Sequence, residues 1–134
     1  SPYSEHDGDI SRDEWMAQTL LAVFQKEPSA KILIIVGGLH ILKKLEWEEY
    51  VPNKKLSIRQ YIERQKPDLK MWSVGQLINE NPDGCDFTKR FSSLPDAVAL
   101  DLDKRYRGWK LGLIGPAAIV PAECFELLDG LIVY

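Results

Sequence analysis

Cysteine and histidine are scarce in this chain of 134 residues, with two of each. Cys85 and Cys124 stand far apart and in no C-x-x-C spacing. They read as ordinary thiols rather than a disulfide framework or a metal clip. With only His6 and His40, a metal would need carboxylates or a segment outside this chain to complete its ligands. His6, Asp7, Asp9 and Asp13 offer ligand atom types, but their spacing fits no ligand pattern and reads as a solvated acidic loop. Long apolar runs are missing too. Ile32–Val36 is far short of the roughly 20 residues that span a bilayer, and no secretory leader is visible, so the compartment stays open. Basic residues are not in excess, since 17 Lys and Arg face 20 Asp and Glu for a net charge of −3. That balance excludes a dedicated nucleic-acid binder. The one basic cluster, Lys104-Arg105-Tyr106-Arg107, is flanked by Asp101 and Asp103 and reads as a solvated loop. No G-x-S-x-G, H-E-x-x-H, P-loop or G-x-G-x-x-G motif occurs, nor any repeat or low-complexity segment.

What remains is ordinary globular usage, 45% hydrophobic and 28% charged, in a length suited to one domain. Residues 1–10 are polar and acidic and read as an opening loop, leaving 11–134 as a single α/β domain or half-domain. Ser11-Arg12-Asp13-Glu14 has the form of a capping box and predicts a helix with Met16, Leu20, Val23 and Phe24 on one stripe. Ile32–Val36 is a continuous, largely β-branched run, which predicts a strand buried on both faces of a parallel sheet. The stretch from Leu39 to Tyr50 reads as partly helical. Ser57-Ile58-Arg59-Gln60 is a second capping box, opening a short helix with Ile58, Tyr61 and Ile62 on one face. Further strands are expected at about 70–75, 97–102 and 131–134, with 111–114 a weaker candidate. Residues 79–95 read as a long exposed excursion, and Pro121 suits the start of a short helix. The four tryptophans read as core or pocket wall, without the interleaved basic residues of a stacking platform. The expected architecture is a mostly parallel sheet with flanking helices.

Chemistry concentrates at two places. Gly37-Gly38-Leu39-His40 follows the apolar run directly, and ligands of parallel sheets bind outside the carboxyl ends of strands. Glycines there permit a tight turn and close approach of a ligand, so Gly37 and Gly38 are candidate ligand-binding positions. A histidine at that point can ligate a metal or move a proton, or it can simply cap the turn. Arg12 and Asp13 fall in the first helical turn, where an arginine can clamp a carboxylate or phosphate; the alternative is helix-end electrostatics alone.

Taken in order, Arg12-Asp13-x-x-Met16-Ala17, Gly37-x-x-His40, Ser57-Ile-Arg-Gln-Tyr61 and the closing Asp129-Gly130-Leu131-Ile132 form a pattern. It resembles the C-terminal half of the superfamily of ChaN-like haem-binding uptake proteins, Tiki and TraB proteins and erythromycin esterases. The resemblance implies an α/β fold whose site is assembled from two halves, each with its own G-x-x-H-type motif. It therefore implies that this chain is the C-terminal part of a larger two-part domain. It also implies that Arg12 and His40 are site residues, with Asp13 the partner of either. Two activities follow as expectations. One is a hydrolase, metal-assisted through His40 or not, acting on a small molecule or peptide, with His40 as ligand or general base and Arg12 stabilising negative charge. The other is a non-enzymatic haem or iron-uptake protein with a tyrosine or histidine as axial ligand. An unpaired apolar strand further predicts self-association, or a missing N-terminal half that completes the sheet.

Overall fold

The computed structural model describes residues 10–77, 84–91, 93–112, 119–120 and 122–134. The opening loop before Ile10, the weaker strand candidate beyond Gly112, Pro121 and part of the 79–95 excursion lie outside them. Helix α1 spans Arg12–Lys26, with Ser11 Oγ accepting from the Glu14 amide, the first half of the expected capping box. Helix α2 spans Ile58–Gln65 and has both halves, the Ser57 side chain taking the Gln60 amide and the Gln60 side chain taking the Ser57 amide. The two helices pack around buried Ala17, Ile58 and Ile62, with Met16, Leu20, Leu21 and Tyr61 against them. The buried stripe of α1 is thus one step away from the expected one. Val23 is exposed, and Ala17 and Leu21 take its place.

Strand β1 is Val74–Leu77, β2 is Val98–Asp101 and β3 is Gly130–Val133. Strand β3 lies between the other two. It runs parallel to β1, with Val74 opposite Gly130, and antiparallel to β2, with Val98 opposite Val133. Gly75 is required by close approach, because a Cβ there would stand 2.6 Å from Leu128 Cδ1 in the core. Helix α3 (Asp86–Phe91), a 3-10 turn at Lys104–Tyr106 and helix α4 (Cys124–Leu127) cover this sheet. Phe87, Leu42, Leu128, Leu131 and Val133 are the largest apolar residues fully buried beneath them. Phe87, Tyr106 and Trp109 form a ring cluster with centroids 5.0–5.2 Å apart. Cys85 and Cys124 are buried free thiols. Trp72, expected inside, is 69% exposed.

The sheet is therefore small and mixed, not mostly parallel. The run that argued for a parallel sheet does not join it. Residues 31–37 are extended but outside any strand, and Leu33 and Ile35 are 87% and 88% exposed. Ile32 and Ile34 are less exposed, and Val36 packs on the α1–α2 cluster. The physical reason is that an apolar run records a demand for burial and names no backbone partner. Here Val36 leans on the helix cluster, Ile32–Ile35 stay exposed, and the backbone of 32–36 joins no strand or bridge with any described residue. The strands that do form alternate solvated and buried positions in β1 and β2, as a sheet with one wet face requires. Residues 38–50 give only a 3-10 turn at Gly38–Ile41 where more helix was expected. Among the described residues no helix is long and apolar enough to cross a membrane.

One polar cluster ties these parts together. Asp129, just before β3, accepts from Lys43 Nζ at 2.9 Å, Arg59 Nη1 at 2.6 Å and the Ser73 amide at 2.8 Å. Its side chain and that of Arg59 are only 16% and 12% exposed. Burial pushes the Asp129 carboxyl up, but the bonds from Lys43, the Ser73 amide and Arg59 outweigh it and hold it below the ordinary carboxylate range. A carboxyl lowered in the folded state stabilises above its unfolded value, near about 3.9, and loses that contribution as pH falls through the folded value. Denaturant midpoints from pH 7 to pH 2 should therefore drop steeply below about pH 4 in the parent chain. Asp129→Asn should flatten that drop and cost about 3–5 kcal/mol at pH 7, because Arg59 is left buried without its counter-charge.

Candidate functional site

The 3-10 turn after the apolar run delivers His40. Its amide donates to the Gly37 carbonyl at 3.0 Å, and the turn ends at Leu42, which is fully buried. Two bonds fix that exit. Ser57 Oγ–H donates to the Leu42 carbonyl at 2.6 Å, and the Lys43 amide donates to the Leu127 carbonyl at 2.9 Å. Ser57 thus starts α2 and anchors the histidine turn with one hydroxyl. The packing of α1 on α2, with a Ser11–Tyr61 hydroxyl contact at 3.3 Å, brings the first turn of α1 to the same place.

There His40 meets Asp13. The ring Nδ1 lies 2.8 Å from one carboxylate oxygen of Asp13 and 2.9 Å from the other. An ionised carboxylate can only accept, so Nδ1 carries the proton and donates it. In the neutral ring Nε2 then carries the lone pair. The pair is half-sheltered, Asp13 at 16% and His40 at 33% side-chain exposure. The His40 edge bearing Cδ2 and Nε2 rests on Gly37, where a Cβ would stand 3.5 Å from Cδ2 and 3.9 Å from Nε2. Gly37 therefore acts as a floor for the ring.

A hollow of about 270 Å³ opens beside the pair, lined by Ser11, Arg12, Asp13, Leu39, His40, Leu45, Trp47, Lys55 and Leu56. A second hollow of about 370 Å³ continues past Trp47 and shares Leu45, Lys55 and Leu56 with the first. Trp47 is held by its indole N–H, which donates to the Lys55 carbonyl at 2.7 Å. Arg12, Asp13 and His40 are thus gathered at one hollow. Gly37 caps the turn and Gly38 is its first residue, and neither lines the hollow. The sequence reading missed Trp47, Lys55 and Leu56. Only the placement of Trp47 as core or pocket wall touched them, because they come from irregular chain whose course no local pattern specifies.

Metal and haem can each be weighed against the donors present. Among the described residues no group of three or more His, Cys, Asp or Glu is placed to hold a metal ion. At the hollow the donors are His40 and Asp13, already bonded to each other, which falls short of a three-ligand catalytic site. A hollow of about 270 Å³ lies below the roughly 300–1,000 Å³ typical for drug-sized ligands. Comparison with protein-family models, with curated proteins and with solved structures gives no match.

Proposed function

We propose that the chain is a hydrolase domain acting on a small ester or amide, with His40 as general base. One observation carries this reading: a histidine whose Nδ1 is bound by a carboxylate, whose Nε2 bonds to no described residue, and which lines a hollow together with Arg12. Asp13 fixes the tautomer and stabilises the imidazolium that forms when the ring takes a proton. A water held against Nε2 gives its proton to the ring as its oxygen attacks the substrate carbonyl carbon. The carbonyl electron pair moves onto oxygen, and the Arg12 guanidinium stabilises that charge. Collapse of the adduct expels the leaving group, which takes its proton from Nε2–H. The apolar wall of Leu39, Leu45, Leu56 and Trp47 limits the water around the reacting bond. The resemblance read from the sequence points the same way, with Arg12, Asp13 and His40 in site roles.

Hydrolysis of 4-nitrophenyl acetate, followed at 400 nm, tests the reading. His40→Ala should lower kcat/KM by at least about 100-fold, as expected for loss of a general base. Asp13→Asn should also lower it, with most of the loss in kcat, because the ring is freed to adopt the wrong tautomer. Both variants should keep the parent's unfolding midpoint within about 1 kcal/mol, since neither side chain is part of a core cluster. Unchanged hydrolysis in His40→Ala rules the reading out.

The partner we read from the bare run is a second copy of the chain. Antiparallel pairing about Ile34 sets Leu33 against Ile35 and Ile32 against Val36, and it places Lys31 opposite Gly37. A parallel in-register pair would stack Lys31 on Lys31. Light scattering should show concentration-dependent association in the parent chain. Leu33→Lys with Ile35→Lys should abolish it and shift stability by less than about 0.5 kcal/mol, because these side chains bury little in the single chain.

A further inference from the structure

We propose that the substrate taken by this site is an anion with an apolar body, its carboxylate or phosphate held by Arg12 and Lys55 beside Trp47. The inference rests on the site read above and adds the charge class of its ligand. Around Trp47 the acidic side chains are engaged and the cations are not. Asp13 is bonded to His40, and Glu46, in the adjoining hollow, is paired with Lys44 at 3.4 Å. Arg12, Lys54 and Lys55 line the two hollows and make no side-chain hydrogen bond or ion pair with any described residue. With His40 neutral, the first hollow has two cations, Arg12 and Lys55, and one anion, Asp13. The surplus is positive in a chain whose net charge is −3. Such a local reversal of sign attracts an anion into the hollow. Arginine suits planar two-oxygen recognition, and lysine adds a mobile point charge. The remaining wall is aliphatic or indole, which favours an apolar body over a sugar or a free inorganic ion.

Titration of the whole chain with benzoate, phenyl phosphate, benzamide and benzylamine tests this, read by tryptophan fluorescence and by the His40 ring signals in NMR. Benzoate or phenyl phosphate, or both, should bind at least ten-fold more tightly than benzamide or benzylamine, and their order tells carboxylate from phosphate. Arg12→Gln and Lys55→Gln should each weaken the better anion about ten-fold, or about 1.4 kcal/mol, and Lys55→Gln should leave benzamide unchanged. Both residues are exposed, so the variants should fold as the parent does. Equal binding of benzoate, phenyl phosphate and benzamide overturns the proposal, as does unaltered anion binding in both variants. The activity arm compares 4-nitrophenyl acetate with the 4-nitrophenyl monoester of succinate, which has a free carboxylate. Equal kcat/KM on the two would leave the hydrolase standing and remove the anion preference. Selective anion binding without hydrolysis of either ester would do the reverse.

Discussion

The buried carboxylate of Asp129 is the constraint on which the rest of the structure depends. Through its side chain it holds Lys43 after the histidine turn, Arg59 in α2 and the Ser73 amide before β1. Through its own amide and carbonyl it holds Ser73 again and Leu102 after β2. Helix pair, histidine turn and sheet are thus referred to one point. Such a cluster contributes little through Coulomb attraction alone, because desolvating three charges offsets most of it. Its effect is on uniqueness. Arg59 also donates to Ser73 Oγ, and its Nε is buried without a partner. A guanidinium so enclosed has few other places to go, and α2 is therefore fixed relative to the sheet.

That fixing reaches the candidate site through short steps. Lys43 is three residues beyond His40, and the intervening Leu42 is buried with its carbonyl bound by Ser57. The histidine is thus held from its C-terminal side by Asp129 and Ser57 and from across the hollow by Asp13. A general base needs such restraint, since a ring free to rotate loses its alignment with water and carbonyl. The polar cluster thereby sets where the proposed chemistry would occur.

Legibility in the sequence followed the range of the interaction. Both helix starts were readable because Ser11 and Ser57 act on residues three positions away. Of the strands expected at about 70–75, 97–102 and 131–134, the last two fall close to β2 and β3, whereas the first overlaps β1 only at Val74 and Gly75. The pairing was not readable. A parallel β1–β3 contact and an antiparallel β2–β3 contact depend on how long connections close, and no window of residues encodes that. The same limit explains the run 32–36, whose composition is that of a buried strand and whose backbone finds no strand neighbour among the described residues. At the site, Arg12, Asp13 and His40 stood out as residue types at turn positions. Which of Arg12 and Asp13 would bond His40 awaited the packing of α1 on α2.

The bare run and the site are joined by one glycine, which raises the question of whether they depend on each other. Upstream of Gly37 the chain touches the helix cluster through Val36, and Leu33 and Ile35 project into solvent. Downstream, His40 is positioned by the Gly37 carbonyl, by Asp13 and by the bonds of Leu42 and Lys43. Among the described residues, none of these bonds comes from 32–36. A strand added to 32–36 would form its bonds along backbone that has no strand partner among the described residues, with the Leu33 and Ile35 faces closing on the newcomer. Gly37 sits in ordinary extended geometry at φ −64° and ψ 150° and can absorb a small change of direction between the two. The proposed association and the proposed chemistry can thus be altered separately, with Gly37 as the joint between them.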